Sequence, residues 1–209
     1  MVRVKVCGIT NLEDALCAVG EGAHALGFNF YRRSPRYVEP ARAREIVGRL
    51  PVGVLSVGVF VNEECGEVAR IVEESGVGAA QLHGDESPSY CEALGGLRLI
   101  KALRVGEGFA PEQATPYRVE SILLDSFSAA ARGGTGRTFD WALARRTRGL
   151  VPQLYLAGGL TPENVAEAVS AVAPYAVDVC SGVESSPGVK KPERLREFFA
   201  AVRRASNKP

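Results

Sequence analysis

Two residues whose side chains can exchange protons close short apolar runs in this 209-residue chain. Cys7 ends "VRVKVC", where Arg3, Lys5 and Cys7 alternate with valines, and Asp125 ends "SILLD". Such alternation is typical of a strand with two unlike faces. A cation two residues before Cys7 on the same face favours the thiolate, the form that can accept a proton. The simpler alternatives are a small buried hydrophobe at Cys7 and a loop turn or helix cap at Asp125.

Units that could position these residues recur eight times along the sequence, each an apolar run followed by a segment of helical periodicity. The helical segment near residues 108–118 is the weakest. Strands that alternate with helices pair in parallel, and eight such units can close into a barrel. We therefore predict an α/β fold, a (β/α)₈ TIM barrel, in a single domain over residues 1–209. An open doubly wound sheet is the alternative, although no G-x-G-x-x-G motif follows the first run.

Capping residues predict where two of the helices begin. Thr10 and Glu13 form a possible capping box before the first helix. Thr161, followed by Pro162, is typical of the cap and first position of the seventh helix.

Polar residues at the carboxyl ends of the strands are candidates for the site, because barrel enzymes place their active sites there. His83 could instead be a core histidine whose hydrogen bonds are satisfied. Lys101 is more typical of an interior ion pair than of a Schiff-base lysine, but the latter would suit an aldolase. The strand-end candidates are Cys7, Gln81, His83, Lys101, Asp125, Asp178 and Cys180.

Two glycine-containing pairs follow the seventh and eighth strands. Gly158 and Gly159 lie in "LAGGLTPEN", and Ser181 and Gly182 lie in "CSGVESSPG". Barrels often bind phosphate with backbone N–H groups of these two loops, and glycine lets the backbone come close. Either pair alone would indicate a turn, but together they predict a phosphorylated small-molecule substrate. "GGTG", at residues 133–136, is a lid over this site, a further anion contact or a plain flexible connection.

A basic loop, "YRRSPRYV", follows the second strand. It is either a solvated surface loop or the source of an arginine that binds a substrate carboxylate. Pro35 stiffens the loop directly before Arg36, so we favour Arg36 for this contact.

The composition argues against several other classes of protein. A net charge of +1 gives no indication of nucleic-acid binding or of a basic membrane patch. Five cysteines without a C-x-x-C spacing, and two histidines, support neither a disulfide framework nor a metal site. We find neither a signal peptide nor an apolar stretch of bilayer length, and free thiols suit a reducing cytoplasm. We therefore expect a cytoplasmic protein with no cofactor or metal.

Segments along nearly the whole chain together resemble the phosphoribosylanthranilate isomerase family, in both order and spacing. They are "KVCGIT", "GFNFYRRSPRYV", "VGVFVN", "QLHGDE", "LLDS", "GGTGRTFDW", "LAGGLTPENV" and "VDVCSGVESSPGVK". The resemblance implies a (β/α)₈ barrel that needs no cofactor. It implies an Amadori rearrangement of N-(5-phosphoribosyl)anthranilate to 1-(2-carboxyphenylamino)-1-deoxyribulose 5-phosphate, in tryptophan biosynthesis.

The resemblance also implies roles for individual residues. Cys7 matches the family's general base and Asp125 its general acid, while Arg36 would hold the anthranilate carboxylate. His83 and Asp178 are further substrate-binding candidates. The acid must carry a proton and the thiol must lack one, the reverse of their usual states near neutral pH.

Two positions depart from the family's common pattern. Cys180 stands where the family commonly has serine, and Lys191 where it commonly has aspartate. Two other functions remain open: an aldolase that uses Lys101, and a barrel that binds phosphosugars without catalysis. The family contains both monomers and dimers, so we expect a monomer or a homodimer.

Overall fold

The computed structural model describes residues 1–126 and 141–206. Eight parallel strands close into a barrel in sequence order, with β8 paired to β1. The TIM-barrel prediction is therefore confirmed. The predicted "GGTG" segment, at 133–136, lies outside the described residues. The strands are β1 (Arg3–Cys7), β2 (Ala25–Asn29), β3 (Leu55–Phe60), β4 (Ala79–Leu82), β5 (Leu99–Val105), β6 (Ser121–Ser126), β7 (Leu154–Leu156) and β8 (Ala176–Val179).

Helices surround the barrel, but fewer of them are described than the sequence predicts. Between β5 and β6 the described chain forms only a 3₁₀ turn, Pro111–Ala114. Gly108 and Pro116 bracket this turn, and neither residue suits the interior of a longer helix. No helix of the described residues is long and apolar enough to cross a membrane. The helices are α1 (Leu12–Glu21), α2 (Pro40–Val47), α3 (Cys65–Ser75), α4 (Pro88–Ala93), α5 (Trp141–Arg148), α6 (Val165–Val172) and α7 (Pro192–Ser206).

Strand β1 has the two faces that its alternation predicts. Val4 and Val6 are buried among the apolar residues that pack under the helices. Lys5 points into the barrel, where its Nζ lies 2.9 Å from a carboxylate oxygen of Asp178 on β8. Arg3 lies at the opposite end of the barrel interior from the strand ends and stacks on a tyrosine ring. The valine face of β1 therefore packs against the helices, and its polar face points into the barrel, where it can contribute to the site.

The predicted helix starts are wrong by one and three residues. Asn11 caps α1, because its side-chain oxygen accepts from the N–H of Asp14. The Thr10 hydroxyl instead donates to the carbonyl of Gly188, far along the chain. The helix predicted to start after Thr161, the seventh in the sequence and α6 in the structure, begins only at Val165. The residues from Thr161 onward form a turn first. In both places a tertiary or turn hydrogen bond replaces the expected cap.

A short hairpin follows β8 and leads into α7. Its strands are β9 (Glu184–Ser186) and β10 (Val189–Lys190). The hairpin lies against the end of β1, because the backbone N–H of Lys190 donates to Asp14 and its ammonium reaches the carbonyl of Cys7. This segment therefore brings side chains from near the carboxyl terminus to the first strand.

Candidate active site

A cavity of about 290 Å³ lies at the carboxyl ends of the barrel strands. Larger cavities occur elsewhere, such as one of about 620 Å³ beside Met1 and Tyr175, but none of its lining residues carries a carboxylate, imidazole or thiol. The strand-end cavity brings together most of the predicted site residues, namely Cys7, Arg36, His83, Asp125, Gly158, Gly159, Asp178 and Ser181. Asn29 and Cys180 also line it.

The thiol of Cys7 fills a space that a glycine leaves open. A side-chain carbon on Gly27, opposite Cys7 in β2, would lie 2.7 Å from the sulfur and 3.2 Å from Nζ of Lys5. A hydrogen bond from Cys180 holds the pKa of the Cys7 thiol well below its ordinary value; burial opposes this shift, and the charges of Lys5 and Lys190 add to it. The thiolate is therefore the favoured form of Cys7.

Lys5 serves two acidic groups at once. Burial disfavours its ammonium, but the nearby Asp178 and Cys7 outweigh burial and raise the pKa of Lys5. Burial raises the pKa of Asp178 to about 7, although Lys5 opposes this. Lys5 is therefore a buried cation shared between the Cys7 thiol and the Asp178 carboxyl.

Sequence reasoning missed a second buried cation beside Cys7. Nζ of Lys190 lies 2.6 Å from the carbonyl oxygen of Cys7 and 2.7 Å from a carboxylate oxygen of Glu184. The contact with Cys7 joins residues 183 positions apart, so no local pattern could reveal it. The only available signal was a pair of opposite charges flanking the "SSPG" turn.

Arg36 reaches the cavity from the loop after β2, as predicted, and its guanidinium is already partly engaged. Nε and Nη2 donate to the carboxylate of Glu184, at 2.9 and 2.6 Å. This bidentate pairing raises the pKa of Arg36 and fixes the plane of the group. Gly8 makes the approach possible, because a side-chain carbon there would lie 2.7 Å from Cδ of Arg36.

A chain of three polar side chains forms the other side of the cavity. Nε2 of Gln81 lies 2.7 Å from Nδ1 of His83, and Nε2 of His83 lies 3.0 Å from Oδ2 of Asp125. The amide oxygen of Gln81 is buried and has no hydrogen-bond partner among the described residues. Reversing the amide would let this oxygen accept from Nδ1–H of His83, and Nε2 of the ring could then accept a hydrogen bond from a protonated Asp125.

The loops after β7 and β8 provide the glycines that were predicted to bind phosphate. Gly158 and Gly159 have φ values of +86° and +64°, which few other residues adopt. A side chain on Gly182 would collide with the carbonyl oxygen of Leu160, so this glycine packs one loop against the other. Gly158, Gly159 and Ser181 line the cavity, whereas Gly182 lies behind them.

Lys101 does not belong to this site, which corrects its selection as a strand-end candidate. Its neighbours in β5, Ile100 and Ala102, face the barrel interior, so Lys101 faces the helices. Its Nζ lies 2.6 Å from a carboxylate oxygen of Glu86, and both side chains are buried. The expected ion pair is confirmed, but it is buried on the helix side of β5 and not inside the barrel, and this geometry does not favour Schiff-base chemistry at Lys101.

Groups of three or more His, Cys, Asp or Glu side chains that could hold a metal ion do not occur within residues 1–126 and 141–206. The polar groups of the cavity are arranged in pairs and short chains instead. The cavity is lined by a thiol and a carboxyl group on opposite sides, by an arginine, and by the glycine-containing loops after β7 and β8.

Comparisons with known proteins identify the family of this chain. The model of the N-(5'phosphoribosyl)anthranilate (PRA) isomerase family matches residues 4–201. A relative from Geobacter sulfurreducens, an N-(5'-phosphoribosyl)anthranilate isomerase, is 51% identical over 205 residues, which cover 98% of each chain.

Solved structures give the same result. The phosphoribosyl anthranilate isomerase of Thermotoga maritima has a TM-score of 0.91 and 46% identity, covering 97% of this chain and 99% of its own. Another structure of such an isomerase, in complex with reduced 1-(o-carboxyphenylamino)-1-deoxyribulose 5-phosphate, has a TM-score of 0.88 and 44% identity over 97% and 99% of the two chains. A further structure is of monomers generated from the Thermotoga maritima isomerase, which is dimeric. The chain belongs to the phosphoribosylanthranilate isomerase family.

Proposed function

We propose that this barrel converts N-(5-phosphoribosyl)anthranilate to 1-(2-carboxyphenylamino)-1-deoxyribulose 5-phosphate, an aldose–ketose isomerisation of tryptophan biosynthesis. The observation that carries this assignment is a thiol favoured as the thiolate and a carboxyl group lining one cavity. The reaction needs one acid and one base. Each proton that moves is exchanged between the substrate and one of these two side chains.

Asp125 is the acid of the first step in this proposal. It protonates the furanose ring oxygen, the C1′–oxygen bond breaks, and the anthranilate nitrogen supplies the electron pair that forms a Schiff base. His83 lies against Asp125 and is in turn contacted by Gln81. With the Gln81 amide oxygen toward Nδ1–H, Nε2 of the ring accepts from the Asp125 hydroxyl until the furanose oxygen of the substrate replaces it as the acceptor. Gln81 and His83 then act as positioning residues for the acid.

Cys7 is the base of the second step. Its thiolate removes the proton from C2′ and gives an enolamine. As this becomes the ketone, C1′ gains a proton and the 2′-hydroxyl loses one, which returns the thiol and the carboxylate to their starting states. Lys5 and Lys190 supply positive charge beside the sulfur before the reaction starts, so no reorganisation is needed when the proton moves. A positioned acid or base contributes about 10²–10⁴-fold in rate.

Three further contacts orient the substrate in this proposal. Arg36 uses the edge of its guanidinium at Nη1, away from Glu184, for the anthranilate carboxylate. The N–H groups around Gly159 and Ser181 bind the phosphate, with Gly158 and Gly182 shaping the loops. Asp178 contacts a sugar hydroxyl from the cavity floor. Binding at the two ends of the substrate fixes C2′ between acid and base.

The direct test is an assay with freshly generated phosphoribosylanthranilate that follows the loss of anthranilate-type fluorescence. We expect rapid loss with catalytic amounts of protein and formation of the ketose product by mass spectrometry. Loss no faster than the spontaneous hydrolysis of the substrate would overturn the proposal. Light scattering on the same sample distinguishes the monomer from the homodimer, which stays a prediction.

A further inference from the structure

Two cysteines meet at the seam where the barrel closes. Strands β1 and β8 pair in parallel with Lys5 opposite Asp178 and Val6 opposite Val179. The next residues in this register are Cys7 and Cys180. Neighbouring strands lie about 4.8 Å apart, and a disulfide requires Cα atoms about 4.4–6.8 Å apart. The backbone spacing therefore suits a bond between the two sulfurs.

The side chains of these residues also face each other. Both line the cavity, and each thiol shifts the pKa of the other, while Sγ of Cys180 also contacts a carboxylate oxygen of Glu184 at 3.8 Å. Gly8, beside them, has no side chain, and a carbon added there would lie 3.0 Å from Sγ of Cys180. Both residues are partly exposed, so a small solute can reach them from the cavity mouth. Of the five cysteines, all within the described residues, Cys7 and Cys180 are the two that line the cavity.

We propose that Cys7 and Cys180 form a modification site, which a peroxide converts to a disulfide that a thiol reductant reverses. In the first step Cys7 attacks an oxygen of hydrogen peroxide. The O–O bond breaks, hydroxide leaves, and Cys7 becomes a sulfenic acid. In the second step the sulfur of Cys180 attacks that of Cys7, the S–O bond breaks, and hydroxide leaves. The two thiols lose two electrons and two protons, and one peroxide becomes two waters.

The surroundings of the pair favour this order of events. Cys7 is the better nucleophile of the two, because its lowered pKa makes it the thiolate. The hydrogen bond to Cys7, together with burial, raises the pKa of Cys180, whereas Lys190 and Arg36 act in the opposite direction. Oxidation of Cys7 to a neutral sulfenic acid removes its negative charge, so the neighbouring cations then favour the Cys180 thiolate. Cys180 is therefore activated only after Cys7 has reacted.

The bond would have two effects on the protein. It consumes the thiolate that we propose as the base, so activity stops until the disulfide is reduced. It also captures the sulfenic acid before further oxidation to the sulfinic and sulfonic acids, which thiols do not reverse. Only the loss of activity rests on the proposed function; formation of the bond does not.

The test compares the unaltered protein with Cys180→Ser and Cys17→Ser variants after brief peroxide treatment, alkylation and trypsin digestion. Cys17 lies on α1, outside the cavity, and serves as the matched control. It also shares a tryptic peptide, residues 6–32, with Cys7, so its replacement leaves Cys7 as the one cysteine there. The partner peptide, residues 149–190, contains Cys180 alone.

We expect a cross-linked pair of these peptides, about 2 Da lighter than their sum, in the unaltered and Cys17→Ser proteins. Activity should be lost with the cross-link and return with dithiothreitol. In Cys180→Ser, Cys7 should pass to sulfinic and sulfonic acids, and the lost activity should not return. Direct over-oxidation of Cys7 in the unaltered protein, without the cross-linked pair, would overturn the proposal. A cross-link in a protein that does not turn over phosphoribosylanthranilate would refute the proposed function and leave the modification site standing.

Discussion

The two sides of the barrel mouth prepare their reactive groups in different ways. On the thiol side, Cys7 stands beside Lys5 and Lys190, whose side chains are 0% exposed. On the carboxyl side, His83 and Asp125 are 24% and 32% exposed and contact each other. Buried cations stabilise an anion, which a base must be, whereas a cation fixed beside a carboxyl would remove the proton that an acid must keep. The fold therefore separates the groups by placing its fixed charge on one side only.

The largest effect should come from removing either reactive group. Cys7→Ala and Asp125→Asn should each lower kcat by about 10²–10⁴-fold, with little change in the free energy of unfolding. Steady-state assays and thermal denaturation of both variants make this measurement. Near-normal turnover in one variant would show that the replaced residue is not the base or the acid, and would leave the role of the other residue untouched.

Removing Arg36 should affect binding more than turnover. Arg36→Met should raise KM by about 10–100-fold, as expected for the loss of a charge-assisted hydrogen bond. Arg33→Met is the matched control, because Arg33 is exposed on the same loop. Equal KM values for the two variants would show that Arg36 only supports Glu184.

On the carboxyl side, Gln81→Met should lower kcat by about fivefold, the equivalent of one hydrogen bond, without raising KM. Gln153→Met is the matched control, since Gln153 bonds Ser121 at the other end of β6. Unchanged kcat in Gln81→Met would leave Gln81 with a packing role only.

On the thiol side, Lys190→Met should shift the low-pH limb of kcat/KM upward by about one pH unit. The sign follows from the lowered pKa of Cys7: without this cation the thiolate forms at higher pH. Lys191→Met, at the exposed neighbouring lysine, should leave the limb in place. If the low-pH limb of kcat/KM is unchanged in both variants, Lys190 supports only Glu184 and the hairpin and does not affect the thiol of Cys7.

The sequence predicts features that depend on periodicity and on strand order. The alternation in β1 assigned Val4 and Val6 to the helices and Lys5 to the interior, and the structure confirms this. The barrel itself could be predicted because eight units of one kind have few ways to pack.

Other features depend on contacts between distant residues, which local patterns do not contain. Lys190 and Glu184 reach Cys7 and Arg36 only because the hairpin folds back onto β1. Lys101 was selected as a site residue by its type and its place in β5. Side chains alternate between the two faces of a strand, and Lys101 lies on the face toward the helices. Predicting such features requires the register and the neighbours of each strand.

The central claim is that Cys7 is a thiolate at neutral pH before substrate binds. The most direct measurement is the rate of Cys7 alkylation by iodoacetamide as a function of pH, read from the tryptic peptide of the Cys17→Ser protein. We predict a titration well below the ordinary thiol pKa, which is about 8.5, and reaction that is already fast at neutral pH. A titration at the ordinary value would contradict the account, because the buried cations would then leave the thiol unchanged.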